Sequence, residues 1–260
     1  MKQMTHDDIL RIARAQSAID LCCSPGDFVR DNPVIVHSRP DERARRYLSL
    51  PFSCQLVSYG SNIVASVQPE MEEAVRGYIS RYPAYHCFET PNLHVLDGLL
   101  APYGVQTCFM AEYFLPRPEL IPQPAIAYET RLLTQEDFAP LYRPEWSNAL
   151  CRERAQLDVL GVGAYDNGQL IALAGCSADC EDMWQIGIDV LPAYRGKGIA
   201  PALVSQLARE ILERGKVPFY CAAWSNIRSV RTAIASGFRP AWTELTARPI
   251  AFVEKMNRGE

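Results

Sequence analysis

The chain lacks any apolar run approaching the roughly eighteen residues that a membrane-crossing helix needs. Its opening residues, MKQMTHDDIL, place acids where a secretory signal would need an apolar core. Basic excess is missing too. Lys and Arg number 26 against 30 Asp and Glu, a net charge of −4, so neither nucleic acid nor an anionic membrane surface is expected as a partner. Paired metal ligands are absent: the nine cysteines are odd in number and scattered, and the nearest approaches to a ligand pair are Cys176-x-x-x-Cys180, with no second pair, and His86-Cys87. These exclusions point to a cytoplasmic protein with reduced, mostly buried thiols and no metal.

What remains is ordinary globular material. Of 260 residues, 48% are apolar and 22% charged, enough to bury a core without disulfides and too mixed for coiled coil or global disorder. The length admits one large α/β domain or two small ones. Pro116-Arg117-Pro118-Glu119-Leu120-Ile121-Pro122-Gln123-Pro124 has four prolines, which exclude helix interior and central strand. The expected organisation is an N-terminal α/β domain over 1–115, a Pro-rich linker over 116–125 and a second domain over 126–260.

In the N-terminal part, Thr5-His6-Asp7-Asp8 reads as a capping-box start, followed by Ile9, Ile12, Ala13 and Ile19 at helical spacing up to a break at Ser24-Pro25-Gly26. Residues 56–59 and 63–67 flank Gly60-Ser61 as a hairpin. Helices are expected from Pro69 and from Pro91, then a strand alternating from Val105 to Tyr113. No residue cluster in this half carries recognisable chemistry.

The C-terminal part reads as a strand at 129–133, a short helix capped at Thr134, and a helix from about Asn148 to Leu160. A hairpin follows around Asp166-Asn167-Gly168, then a strand from Trp184 to Val190. After Arg195-Gly196-Lys197-Gly198 comes an amphipathic helix carrying Ile199, Leu203, Val204, Leu207, Ala208, Ile211 and Leu212, with Gly215 at its C-terminal cap. A strand at 219–223 and a helix from Ile227 to Ser236 complete a βαβ unit, whose crossover implies parallel strands.

The loop Tyr194-Arg195-Gly196-Lys197-Gly198-Ile199-Ala200 joins strand to helix. Glycines let a ligand approach the backbone, and the first amides of the helix favour phosphate. Pro201 offers no N–H, which limits the cradle to amides up to Ala200. A Walker A loop would have Ser or Thr where Gly198 stands, and a dinucleotide fingerprint would have Gly where Pro201 stands.

Arg195, Gly198 and Ala200 resemble the Arg/Gln-x-x-Gly-x-Gly/Ala motif of the GNAT superfamily of acyl-CoA N-acyltransferases. Val190-Leu191-Pro192-x-Tyr194 before the loop is similar to many members, as is Asn226-x-x-Ser229-x-x-x-Ala233-x-x-x-Gly237-Phe238 after it. The resemblance covers about half the chain. It implies a GNAT-like α/β (α+β) fold, a mixed sheet flanked by helices, in the C-terminal domain. The preceding smaller α/β domain is either a degenerate GNAT-like half without a glycine cradle or an unrelated cap.

Functionally, the resemblance implies acetyl-CoA as acyl donor and the amine of a small-molecule or amino-acid-like acceptor as partner. The amides of Arg195, Gly196, Lys197, Gly198, Ile199 and Ala200 would hold the pyrophosphate. The strand carrying Ile188 and Val190 would pair with pantetheine in a gap opened against the next strand, and Asn226 and Ser229 would contact the pantetheine arm or the adjoining backbone. Asn226 also makes a good helix N-cap. Where many members place an acidic tyrosine this chain has Ala233, with no proton to give. Tyr194 and Tyr220 are expected to pack their rings and tie off their hydroxyls. Asp189, an acid inside a strand, is the candidate general base, with Glu181 and Asp182 as alternatives. A non-catalytic acyl-CoA-binding regulatory protein is the competing expectation.

Overall fold

The computed structural model describes residues 4–259. In chain order the regular elements begin with α1 (His6–Leu21), β1 (Val34–His37), β2 (Cys54–Ser58), β3 (Val64–Val67), α2 (Glu72–Arg81) and α3 (Thr90–Leu100). They continue with β4 (Val105–Pro116), β5 (Glu129–Thr134), β6 (Asp158–Asp166), β7 (Gln169–Ser177) and β8 (Met183–Val190). The last are α4 (Ile199–Glu213), β9 (Val217–Ala222), α5 (Ile227–Ala235), β10 (Phe238–Pro249) and α6 (Ile250–Asn257). No helix among the described residues is long and apolar enough to cross a membrane.

Two compact units result, and they are interleaved along the chain. Unit 1 comprises residues 1–13 with 114–240, and unit 2 comprises 14–113 with 241–260. Each is α/β.

In unit 2, β2 pairs antiparallel with β3 and with β10, and β1 runs parallel to β3. The hairpin expected at Gly60-Ser61 is the β2–β3 pair. Its apolar core runs from Leu56, Ala65 and Val67 to Val75 and Tyr78 of α2, Leu96 and Leu100 of α3, and Leu245 of β10. Beside it lies a buried polar knot. Arg45, only 4% exposed, donates its Nε to Asp20 and a terminal nitrogen to Glu244 Oε2 at 2.9 Å, and its backbone N–H to Asp20 Oδ1 at 2.9 Å. Gln16 donates to the same Asp20 Oδ1 at 2.9 Å, and Gln55 donates to the remaining oxygen of Glu244, Oε1, at 2.6 Å. Tyr59, Trp242 and Tyr113 stack alongside, and the Arg45 guanidinium lies over the Tyr113 ring. Desolvating a guanidinium is tolerable only with both carboxylates in place.

In unit 1, β5, β6, β7 and β8 form an antiparallel meander, and β9 joins β8 in parallel, as the βαβ reading requires. Asn167 and Gly168 at the β6–β7 turn have φ of 48° and 80°, the left-handed pair of a tight hairpin. Helix α4 lays Ile199, Leu203, Leu207 and Ile211 on the sheet against Val162, Ala172 and Ile186, the face its periodicity marks as apolar. Two expectations change. Residues 148–160 are not one helix: Asn148–Leu150 cross the sheet, a 3₁₀ segment spans Arg152–Leu157, and β6 starts at Asp158. The Pro-rich stretch is docked, not a free connector. Arg117 donates its N–H to the carbonyl of Gly237 at 3.0 Å, Ile121 packs against the core, and Arg209 donates to the carbonyl of Pro122.

Removing one carboxylate from the polar knot leaves a buried cation half-compensated. Asp20→Ala is expected to lower the unfolding free energy by about 3–5 kcal/mol, measured by chemical denaturation. A loss below about 1 kcal/mol, the range of an exposed pair, would contradict the structural role given to Arg45.

Candidate functional site

The site lies in unit 1, where β8 stops pairing with β9. Only Met183, Trp184 and Gln185 are in register with Val217, Pro218 and Phe219. Strand β8 continues to Val190 and β9 to Ala222, so the two part into an open wedge. On its other side β8 stays paired with β7 as far as Val190. Among the described residues, the edge of Ile186–Val190 that faces the wedge therefore has no strand partner, and backbone groups in that position demand one. Ile188 and Val190 lie half-buried on this stretch.

The chain then turns through Pro192–Tyr194 into the glycine loop. Gly196 and Gly198 have φ of 76° and 75°, a left-handed conformation costly for any other residue, and a Cβ at either would meet open space. Tyr194 and Arg195 use their N–H groups on Leu191 and Pro192, and the next backbone bond is Ala202 N–H to Gly198 O at 3.4 Å. Among the described residues, the five successive amides from Gly196 to Ala200 are left without a backbone acceptor. Gly196, Lys197 and Gly198 are exposed. Arg195 turns its guanidinium back onto the Val190 carbonyl at 3.0 Å, which fastens the loop to the strand end. Its own amide, spent on the Pro192 carbonyl, is outside the free series, one residue fewer than the expected cradle. Lys197 Nζ stands 4.9 Å from the Tyr194 ring centroid and 3.5 Å from the Tyr128 hydroxyl. A row of amides at the start of a helix, beside a lysine, is suited to phosphate oxygens.

Beyond β9, Asn226 caps α5: its Oδ1 accepts the Ser229 N–H at 3.3 Å. The Ser229 hydroxyl in turn is 2.8 Å from the Tyr220 hydroxyl. Burial pushes the Tyr220 phenol up, against the opposing pull of Ser229. The hydrogen bond to Asp166, at 2.9 Å, raises the Tyr194 phenol. Both tyrosines thus tie off their hydroxyls as expected. Ala233 is fully buried among Leu203, Phe238 and Tyr220, so that position offers neither proton nor access.

Asp189, the candidate base, is hydrogen-bonded to three donors of the chain itself. Its Oδ2 accepts the backbone N–H groups of Asn148 and Ala149 at 2.8 and 3.0 Å, and its Oδ1 accepts the Asn148 side-chain amide at 2.6 Å. The carboxylate is engaged with the chain's own donors and ties down the segment at Asn148 and Ala149. What it anchors lies directly on the sheet. Gly175 and Gly187 are paired across β7 and β8, and a Cβ on them would come within 2.2 Å of the Ala149 carbonyl oxygen and 1.8 Å of the Asn148 oxygen. The segment 148–150 therefore rides over a glycine saddle. Asp158, 2% exposed, fixes its far end by accepting the Cys151 N–H at 2.9 Å. The saddle is visible in the sequence only as two unremarked glycines. Glu181 and Asp182 precede β8 outside the wedge, and Asp182 sits 3.6 Å from Lys216.

Elsewhere, a cavity in unit 2 between Asn32, Asn62, Ser80 and Tyr82 contains none of the expected ligand-binding residues. No group of three or more His, Cys, Asp or Glu among the described residues could hold a metal ion.

Residues 123–242 match the family model described as GNAT acetyltransferase. No curated protein matches the chain. Among solved structures, similarity extends to one assigned to the GNAT family from Novosphingobium aromaticivorans, at 20% identity and TM-score 0.43, covering 55% of this chain and 66% of that one, just under two thirds of its length. An acetyltransferase of the GNAT family from Colwellia psychrerythraea is 13% identical with TM-score 0.47, over 93% of this chain and 96% of that one. An aminoglycoside N-acetyltransferase solved in complex with CoA is 19% identical with TM-score 0.35, over 45% and 91%.

If Asp189 is an anchor, Asp189→Ala should remove the exchange protection of the Asn148 and Ala149 amides and cost about 1–3 kcal/mol of stability. Hydrogen exchange resolved at those two residues checks this, and unchanged protection would return Asp189 to the list of free carboxylates.

Proposed function

With the C-terminal half of the chain, matched over residues 123–242, belonging to the GNAT superfamily, we propose that this protein transfers an acyl group from acyl-CoA, acetyl-CoA first among them, to the amine of a small-molecule or amino-acid-like acceptor. One observation carries the reading: five free amides at the start of α4 stand immediately beyond a strand whose edge is open to a wedge. Diphosphate oxygens match the amides, and the amide groups of pantetheine match the unpaired edge of β8. Lys197 adds a positive charge at the loop. Asn226 and Ser229 border the arm through the first turn of α5. Unit 2, whose β3 runs through Gln68-Pro69 into helix without a glycine loop, is read as a GNAT-like half that holds no cofactor.

The chemistry asked of the protein is modest. The neutral amine attacks the thioester carbonyl, the C–S bond breaks, the amine nitrogen loses its proton to water and the thiolate leaves. An ordinary thiol has a pKa of about 8.5, so its anion is a tolerable leaving group without an acid. Ala233 and the occupied carboxylate of Asp189 fit this division of labour, in which the chain supplies orientation and desolvation more than proton transfer. Holding both reactants in a reactive geometry lowers a barrier by as much as about 7–11 kcal/mol. The buried Ala233 also favours a second reading, a regulatory protein that binds acyl-CoA without turning it over. Turnover above the uncatalysed rate across a broad amine panel eliminates that version.

Calorimetric titration with acetyl-CoA, with NAD and ATP as controls, tests the cofactor. Saturable binding to acetyl-CoA alone is expected, and Gly198→Glu should abolish it by placing a side chain and a negative charge in the cradle. Unchanged affinity in a folded Gly198→Glu protein would sink the assignment of the loop.

A further inference from the structure

In a chain of net charge −4, the residues around the wedge have an unusual balance: no Asp or Glu occurs from Val190 to Arg209, or from Lys216 to Thr243. Most cations in these stretches are engaged. Arg195 donates to the Val190 carbonyl, Arg209 to the Pro122 carbonyl and Arg239 to the carbonyls of Ile234 and Phe238, and Lys216 stands by Asp182. Arg228 and Arg231 are different. Both are exposed, they lie three apart on one face of α5, and neither guanidinium has an acceptor among the described residues. Ahead of them on the same helix and its entry loop, Ile227 is 52% exposed and Trp224 is 58% exposed. An indole presented to solvent beside two unpaired guanidiniums is a poor solubility device and a good surface for a phosphorylated aromatic group.

Placement supports the match. The Ser236 hydroxyl at the end of α5 is 3.3 Å from the carbonyl of Pro201, in the first turn of α4, and the Ser205 hydroxyl reaches the Ser236 carbonyl at 3.5 Å. Arg231 is five residues upstream of Ser236, about 7.5 Å along the helix axis, and its side chain spans a similar distance. The C-terminal end of α5 thus meets the first turn of α4, on helices that follow two parallel strands.

We propose that Arg228 and Arg231 hold the 3′-phosphate of CoA and that Trp224, with Ile227, stacks on its adenine, so that this site discriminates CoA from carriers lacking the 3′-phosphate. The proposal rests on the reading of Gly196–Ala200 as the diphosphate cradle. Its energetics follow from the parts: charge-assisted hydrogen bonds from a guanidinium to phosphate are strong even at the surface, and an aromatic ring stacks any base. The absence of carboxylates nearby in sequence leaves the phosphate without a local competitor.

Titration calorimetry of the full chain with acetyl-CoA, its 3′-dephospho form and acetylated 4′-phosphopantetheine separates the contributions. The wild type should bind acetyl-CoA about tenfold or more tightly than the dephospho form. Arg228→Gln with Arg231→Gln should erase that ratio by weakening only the 3′-phosphorylated ligand. Arg228→Lys should keep part of it. Trp224→Ala should weaken both adenine-bearing ligands and leave acetylated 4′-phosphopantetheine unaffected. All three side chains substituted are exposed, and circular dichroism verifies that the variants fold. Equal wild-type affinity for acetyl-CoA and its dephospho form overturns the inference while leaving the cradle standing, as does equal weakening of both by the arginine pair. Binding of none of the three ligands overturns the cofactor reading and this inference with it.

Discussion

Parallel pairing between β8 and β9 ends at Gln185 and Phe219, and the architecture of unit 1 follows from that ending. A sheet normally satisfies the backbone of an interior strand on both sides. Here β8 keeps its partner β7 and loses β9 over Ile186–Val190, so five residues present one unpaired edge within the sheet. Such an edge is stable only if the strand is held from elsewhere. Three features hold it: the β7 ladder, the contact of Ile186, Ile188 and Val190 with the core under α4, and the return of Arg195 onto the Val190 carbonyl. The glycine loop with its free amides is thereby joined to a strand end that is itself held by these contacts.

The opposite face of β8 carries the complementary constraint. Gln185, Gly187 and Asp189 alternate with the core residues, and the paired glycines at 175 and 187 let residues 148–150 lie on the sheet without side chains between them. Asp189 converts that close approach into a fixed one by accepting three N–H groups. The same strand thus faces apolar core on one side, an anchored crossing segment on the other, and a vacant edge in its own plane. That division gives the acid in the strand a structural task.

Much of this was legible in the sequence. The 3.6-residue period of Ile199 to Leu212 gave α4 and its buried face, Asp166-Asn167-Gly168 gave the hairpin, and Gly196-x-Gly198 marked the loop that leads into α4. Parallel β8 and β9 followed from the helical crossover between them. The failures have a common physical source, which is that partners distant in sequence decided the outcome. Asn148–Leu160 has the spacing of a helix, yet two carboxylates, Asp189 and Asp158, recruit its amides and hold it as a crossing segment and a 3₁₀ turn. The prolines at 116–124 read as a free connector because nothing local announces the contact with Gly237. Arg45, Asp20 and Glu244 are three ordinary surface residues by type, and only the fold brings them together in the interior.

The central claim is that the amides of Gly196 to Ala200 are a ligand site. Amide-resolved NMR of the full chain during addition of CoA tests it most directly. The account expects large shifts and new exchange protection confined to Gly196–Ala200, to Ile186–Val190 along the open edge of β8, and to the first turn of α5. Saturable binding that leaves those amides unshifted, or that perturbs another surface instead, would contradict it.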